Sequence, residues 1–132
     1  MANNPYFLYV EDDDDDIVIL KEMMTNSGHH HTCCSVKDGF EAIKFLQSIK
    51  HGEAYPNLIL LDIHMPRLNG KETLQYLKSD DMYCLIPVLM FSASRDSRNE
   101  EVYKSLGTEV LSKPDNLNAW EKTIQQITEY FG

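Results

Sequence analysis

Two apolar runs in this chain stop at carboxylates: Phe7-Leu8-Tyr9-Val10 is followed by Glu11 and Asp12, and Leu58-Ile59-Leu60-Leu61 is followed by Asp62. A short, wholly apolar run suits a strand buried on both faces of a parallel sheet. The residue after it emerges at the carboxyl edge, where open α/β sheets bind their ligands. Two more strand-like runs end in other chemistry: Ser92 follows Val88-Leu89-Met90-Phe91, and Lys113 follows Val110-Leu111-Ser112. If the first and third strands are neighbours, Glu11, Asp12 and Asp62 converge. Carboxylates held that close repel unless a cation lies among them, and hard oxygen ligands with room for water suit Mg²⁺. Carboxylate, Mg²⁺, hydroxyl and ammonium together make a site for an incoming phosphoryl group. A carboxylate is the nucleophile there, and the metal and Lys113 neutralise the charge that builds up. The implied product is an aspartyl phosphate.

Positioning these groups requires five strands alternating with five helices, the pattern of a doubly wound α/β sheet with helices on both faces, in order 2-1-3-4-5. The strands read as Tyr6 to Val10, Thr32 to Val36, Leu58 to Leu61, Val88 to Phe91, and Val110-Leu111 with their neighbours. Helical spacing joins Ile17, Leu20 and Met24; Phe40, Ile43, Leu46 and Ile49; Thr73, Leu74 and Leu77; and Leu117, Trp120, Ile124, Ile127 and Phe131. These stripes are expected to face the core. The fourth helix, Ser97 to Ser105, is mostly polar and has little beyond Val102, Tyr103 and Leu106 to bury, so it should be the least firmly packed. After Asp62, the loop Ile63-His64-Met65-Pro66-Arg67-Leu68-Asn69-Gly70 turns the chain away and leaves the carboxylate at the strand tip.

The 132 residues fit one domain, 1–132, able to bury a core without disulfides or structural metal. A formal charge of −9 and a pI near 4.9 disfavour direct nucleic-acid binding, which needs clustered Lys and Arg. The three cysteines, two of them adjacent, form neither a disulfide framework nor a CxxC site, in keeping with a reducing compartment. No basic leader and no membrane-length apolar run is present, so a cytoplasmic location without membrane attachment is expected. His29-His30-His31 precedes a strand, where adjacent side chains diverge, and metal binding there is disfavoured. Neither GxGxxG nor GxxxxGK[ST] occurs, which disfavours nucleotide binding of those kinds. Within the run Asp12 to Asp16, carboxylates from Asp13 onward read as a helix start, with Asp14 as the N-cap.

Taken together, Val10-Glu11-Asp12-Asp13, Leu60-Leu61-Asp62-Ile63-His64-Met65-Pro66 with Gly70, Pro87-Val88-Leu89-Met90-Phe91-Ser92-Ala93 and Lys113-Pro114 resemble the receiver domains of two-component response regulators. The resemblance runs over nearly the whole chain, and the order and spacing of the motifs carry it. It implies the flavodoxin-like receiver fold, of which the chemotaxis receiver is a named example. By that resemblance Asp62 is the phosphoacceptor, Asp12 the direct Mg²⁺ ligand with Glu11 supporting it, and the main-chain carbonyl of His64 a further ligand. Ser92 binds the arriving phosphoryl group, and Lys113 pairs first with the carboxylate and then with the phosphoryl oxygens. The Lys113-Pro114 bond is expected to be cis. The His64 side chain, with Ser94, either influences water access to the phosphoryl group or is an ordinary loop histidine. Val110 stands where many receivers carry a Tyr or Phe that swings inward, so readout has to use other side chains, with Tyr103 a candidate.

The resemblance implies a signalling switch rather than a turnover enzyme, one that acquires its phosphoryl group with Mg²⁺ and slowly loses it. The donor is a sensor histidine kinase or phosphotransfer protein. Because the chain stops at Gly132 after the last helix, output is expected through partner binding or phosphorelay, as a monomer or as a homodimer through the last helix-strand-helix face. The segment His51 to Pro56 and the last helix look like those of receivers that serve phytochrome-type kinases. A degenerate receiver acting only as an interaction module would have lost acceptor or metal groups, and none is lost here. A haloacid dehalogenase-type enzyme would carry DxDx[TV], whereas His64 lies two residues after Asp62.

Overall fold

A computed structural model of the chain describes residues 4–65, 68–93 and 97–132, with the side chains of 97–100 left aside. The strands are β1 (Phe7–Val10), β2 (Cys33–Val36), β3 (Leu58–Asp62), β4 (Val88–Ser92) and β5 (Glu109–Ser112). Between and after them run α1 (Asp14–Asn26), α2 (Gly39–Ser48), α3 (Gly70–Ser79), α4 (Ser97–Ser105) and α5 (Leu117–Thr128). All strand pairings are parallel, in the order β2-β1-β3-β4-β5. The doubly wound sheet expected from the sequence is therefore the observed fold, and the chain reverses direction across the sheet between β1 and β3.

The central strands β1, β3 and β4 are buried along their whole length, as unbroken apolar runs in a parallel sheet must be. Alternation of side chains then divides the core in two. Leu8, Val10, Ile59, Leu61, Val88 and Met90 pack with Ala42 and Leu46 of α2, Leu74 and Leu77 of α3, and Tyr103 of α4. Phe7, Tyr9, Leu58, Leu60, Leu89, Phe91 and Leu111 pack with Ile17, Leu20 and Met24 of α1 and Ile124 and Ile127 of α5. Trp120, Tyr130 and Phe131 are half-buried against this second cluster and act as packing residues.

Several local expectations are corrected. Asp13, not Asp14, caps α1: its extended backbone lets the carboxylate accept from the amides of Asp15 and Asp16. In α2 the expected Leu46 is buried and Ile49 packs against the core, but Ala42 and Phe45 join them there while Phe40 is turned half out to solvent. The cause is the tight seat of Gly39, where an added Cβ would lie 2.0 Å from Thr73 Oγ1 of α3. Leu117 is exposed at the first turn of α5. No cis peptide bond occurs among the described residues, so Lys113-Pro114 is trans, the isomer X-Pro bonds ordinarily favour. As expected, α4 buries only Tyr103 among its described apolar side chains and leaves Val102 exposed.

Candidate functional site

The site arises from strand register. Val10 pairs with Leu61 and Asp62 with Phe91, so Glu11 leaves β1 beside the tip of β3. Glu11, Asp62 and Lys113 continue the alternation of Tyr9, Leu60 and Leu111, whose side chains all lie in the cluster under α1 and α5. One oxygen from each of Glu11, Asp12 and Asp62 lies within 4.8 Å of the others, and this is the one group of three or more potential metal ligands among the described residues. Glu11 is fully buried, Asp62 is 4 % exposed, and Asp12 is open to solvent.

Glu11 is saturated with donors. Oε1 accepts from Tyr9 OH at 3.2 Å and from Lys113 Nζ; Oε2 accepts from the amides of Asp12 at 3.0 Å and Asp13 at 3.4 Å. Four donors match the four lone-pair sites of a carboxylate. Burial and the neighbouring Asp62 carboxylate nonetheless push the Glu11 carboxyl up to about 7, against the opposing pull of Lys113. Asp12 is also raised, by desolvation and by Glu11. Asp62 accepts from the His64 amide at 3.3 Å through Oδ1 and presents Oδ2 to Lys113 Nζ at 3.6 Å. Burial works to lower the Lys113 ammonium, but its hydrogen bonds to Glu11 and Asp16 and the charge of Asp62 prevail, and it is held above the usual lysine range.

Close backbone approach fixes the loop after Asp62. A Cβ on Gly70 would stand 2.4 Å from the Asp62 carbonyl oxygen and 2.9 Å from Ile63 Cα, so α3 can start directly beneath the loop only with glycine there. The Gly70 amide donates to the Ile63 carbonyl at 3.2 Å, and Asn69 and Glu72 close a capping box at the start of α3. Ser92 is buried at the tip of β4, and its carbonyl accepts from the Lys113 amide at 2.7 Å. An open cleft of about 630 Å³ reaches Asp12, with Ile63, His64, Met65, Asn69, Lys71 and Tyr103 around it. Ser94 lies outside the described residues, as do Pro66 and Arg67.

Thus Glu11, Asp12, Asp62 and Lys113 come together as their strand-end positions predict. Two contributors escape the sequence reading. Asp16 reads in the sequence as part of a helix start, yet its Oδ2 lies 2.9 Å from Lys113 Nζ. A signal was available: Asp16 precedes the buried Leu20 and Met24 by four and eight residues, which places it on the inward face of α1. Tyr9 reads as strand core, which it is, and its hydroxyl is also a donor to Glu11.

Residues 7–125 match the response regulator receiver domain family, and the chain belongs to it. The phosphorylated cyanobacterial phytochrome response regulator RcpA is similar in structure, with a TM-score of 0.82 and 30% identity, over 98% of this chain and 94% of that one. The Mn²⁺-bound form of response regulator Rcp1 gives a TM-score of 0.79 and 30% identity over 95% of this chain and 92% of that one. In sequence, the polar-differentiation response regulator DivK of Brucella anthropi is 33% identical over 97 residues, 73% of this chain and 72% of DivK. Against another relative, at 28% identity, the match spans 63% of that protein's length. Receiver domains are two-component signalling switches rather than turnover enzymes. Their acidic pocket binds Mg²⁺, and the clustered carboxylate oxygens of Asp12 and Asp62, with Glu11 behind them, fit a divalent cation.

Proposed function

We propose that residues 1–132 form a single receiver in which Asp62 accepts a phosphoryl group from a phosphohistidine on a sensor histidine kinase or phosphotransfer protein. An Asp62 carboxylate oxygen attacks phosphorus, the bond from phosphorus to the donor imidazole nitrogen breaks, and the imidazole keeps that electron pair. The observation that supports this best is the convergence of three carboxylates and one ammonium at a single strand edge, with Lys113 Nζ 3.6 Å from Asp62 Oδ2.

Asp12, Asp62 and the main-chain carbonyl of His64 would hold Mg²⁺, which when bound offsets the negative charge of the transferring group. Glu11, with its lone pairs engaged, supports this set by fixing the amides of Asp12 and Asp13. Lys113 neutralises a phosphoryl oxygen, and Ser92 donates to another. Slow hydrolysis of the acyl phosphate resets the switch. Val110 is a half-buried aliphatic on β5, so an aromatic swing from that position is absent, and Tyr103, which borders the cleft, is the side chain through which phosphorylation reaches α4.

The likeness to RcpA favours a phytochrome-type kinase as donor, acting in the cytoplasm. Output proceeds by partner binding or phosphorelay. Among the described residues no helix is long and apolar enough to cross a membrane. Exposed Val102, Leu106 and Leu117 favour a homodimer through α4, β5 and α5, to be checked by sedimentation over a range of concentrations.

The deciding experiment incubates the protein with Mg²⁺ and a small acyl phosphate, then measures intact mass. One phosphoryl adduct is expected in the wild type and none in Asp62→Asn; an adduct that survives this substitution refutes the assignment. Asp12→Ala is expected to lose Mg²⁺ binding while Lys113→Ala retains it, and retained affinity in both removes Asp12 from the ligand set.

A further inference from the structure

Lys113 faces three carboxylates that do not share it equally. Its Nζ is hydrogen-bonded to Glu11 Oε1 and, at 2.9 Å, to Asp16 Oδ2, whereas Asp62 Oδ2 at 3.6 Å lies beyond hydrogen-bond length. The two close partners differ in kind. Glu11 is buried at a strand tip and pinned by Tyr9 and by the amides of Asp12 and Asp13. Asp16 comes from α1, and a third of its side chain is exposed. Of the two, Asp16 is the contact the lysine can exchange.

We propose that Asp16 is a positioning residue that holds Lys113 back from Asp62, so that the strength of this contact sets how readily the lysine passes to a phosphoryl group on Asp62. The inference rests on Asp62 being the phosphoacceptor. The three N–H groups of an ammonium point in fixed relative directions, and with Nζ 3.6 Å from Asp62 Oδ2 the lysine has to leave its present seat to bond a group carried there. A phosphoryl group on Asp62 brings new anionic oxygens beside Lys113, and in turning toward them the ammonium gives up Asp16 and keeps Glu11. The exchange costs what a part-exposed ion pair is worth, a factor of up to about five in an equilibrium constant. Plain electrostatics predicts something different, because Asp15 carries the same charge one residue away, is exposed, and is not a partner of Lys113.

The test titrates beryllofluoride, an inorganic phosphoryl analogue, onto the Mg²⁺-loaded protein. Asp16→Asn is expected to tighten binding about five-fold, Asp15→Asn to change it by less than about two-fold, and Asp16→Glu to return it toward the wild-type value. Equal effects from the two Asn variants, or weaker binding by Asp16→Asn, overturn the proposal. A second measurement needs no phosphoryl analogue. Lys113 released toward Asp62 competes with the cation, so by calorimetry Asp16→Asn lowers Mg²⁺ affinity more than Asp15→Asn does. That difference should vanish in a Lys113→Ala background, and its persistence there also overturns the proposal. If the wild type binds no beryllofluoride, the phosphoacceptor reading itself fails, and the Mg²⁺ cycle still decides whether Asp16 holds Lys113.

Discussion

At the scale of single residues, the site is a contest among carboxylates for donors. Tyr9 is the least replaceable of these donors because it is wholly buried, its ring meets Phe91 edge-on with centroids 6.1 Å apart, and its hydroxyl serves Glu11. Burial and the neighbouring charge of Glu11 hold its phenol far above the usual tyrosine range, so it stays a donor at any physiological pH. Tyr9→Phe is expected to cost about 1 kcal/mol, lowering Tm by about 4 °C. An unchanged melting curve would show that the hydrogen bond contributes nothing net. Glu11, Asp12, Asp62 and Lys113 were legible in the sequence because strand ends are legible. The inward face of Asp16 is legible from its spacing to Leu20 and Met24, but that it and the Tyr9 hydroxyl reach this site is not, since only the assembled fold brings a helix face and a sheet face together there.

At the scale of elements, strand identity and helix count follow directly from apolar periodicity, and errors fall where a neighbour decides orientation. Phe40 has the spacing of a core residue, yet with Gly39 pressed closely against Thr73 it is Ala42, beside the expected Leu46, that α2 buries. The N-cap moved by one residue for a similarly local reason: in a row of aspartates, only backbone geometry selects the one whose carboxylate turns back. Gly70 is the element-level linchpin of the loop after Asp62. Gly70→Ala is expected to lower stability by about 1–3 kcal/mol, because the atoms it meets are backbone and cannot swing aside. The Asp62 carbonyl should shift with it, weakening Mg²⁺ affinity. Urea denaturation and calorimetry read the two effects, and normal values in both would mean that the loop yields without cost.

At the scale of the whole molecule, half-buried titratable groups limit the alkaline range. Burial pushes the Cys33 thiol from 9.0 up to about 12, with Lys21 opposing and Cys34 reinforcing the shift. Burial, followed by Cys34 and Glu53, likewise moves Tyr6 from 10.0 to about 12. Between these values the unfolded chain releases protons that the folded chain keeps, so stability is intact below about pH 9 and declines as pH rises toward 12. A urea midpoint lower at about pH 10.5 than at about pH 8 is expected, with a shallower decline in Cys33→Ala. Equal midpoints at the two pH values would rule this out.

One hydrogen bond ties these scales together. The Lys113 amide donates to the Ser92 carbonyl at 2.7 Å, extending the Ser92↔Ser112 register one step past the strands. The tips of β4 and β5 therefore form a single stiff plate bearing a hydroxyl on one corner and an ammonium on the other. If Ser92 is drawn toward a phosphoryl group as proposed, the same hydrogen bond would tug the main chain of β5, and with it Val110, so that a backbone linkage would add to the Tyr103 route without a swinging ring at Val110.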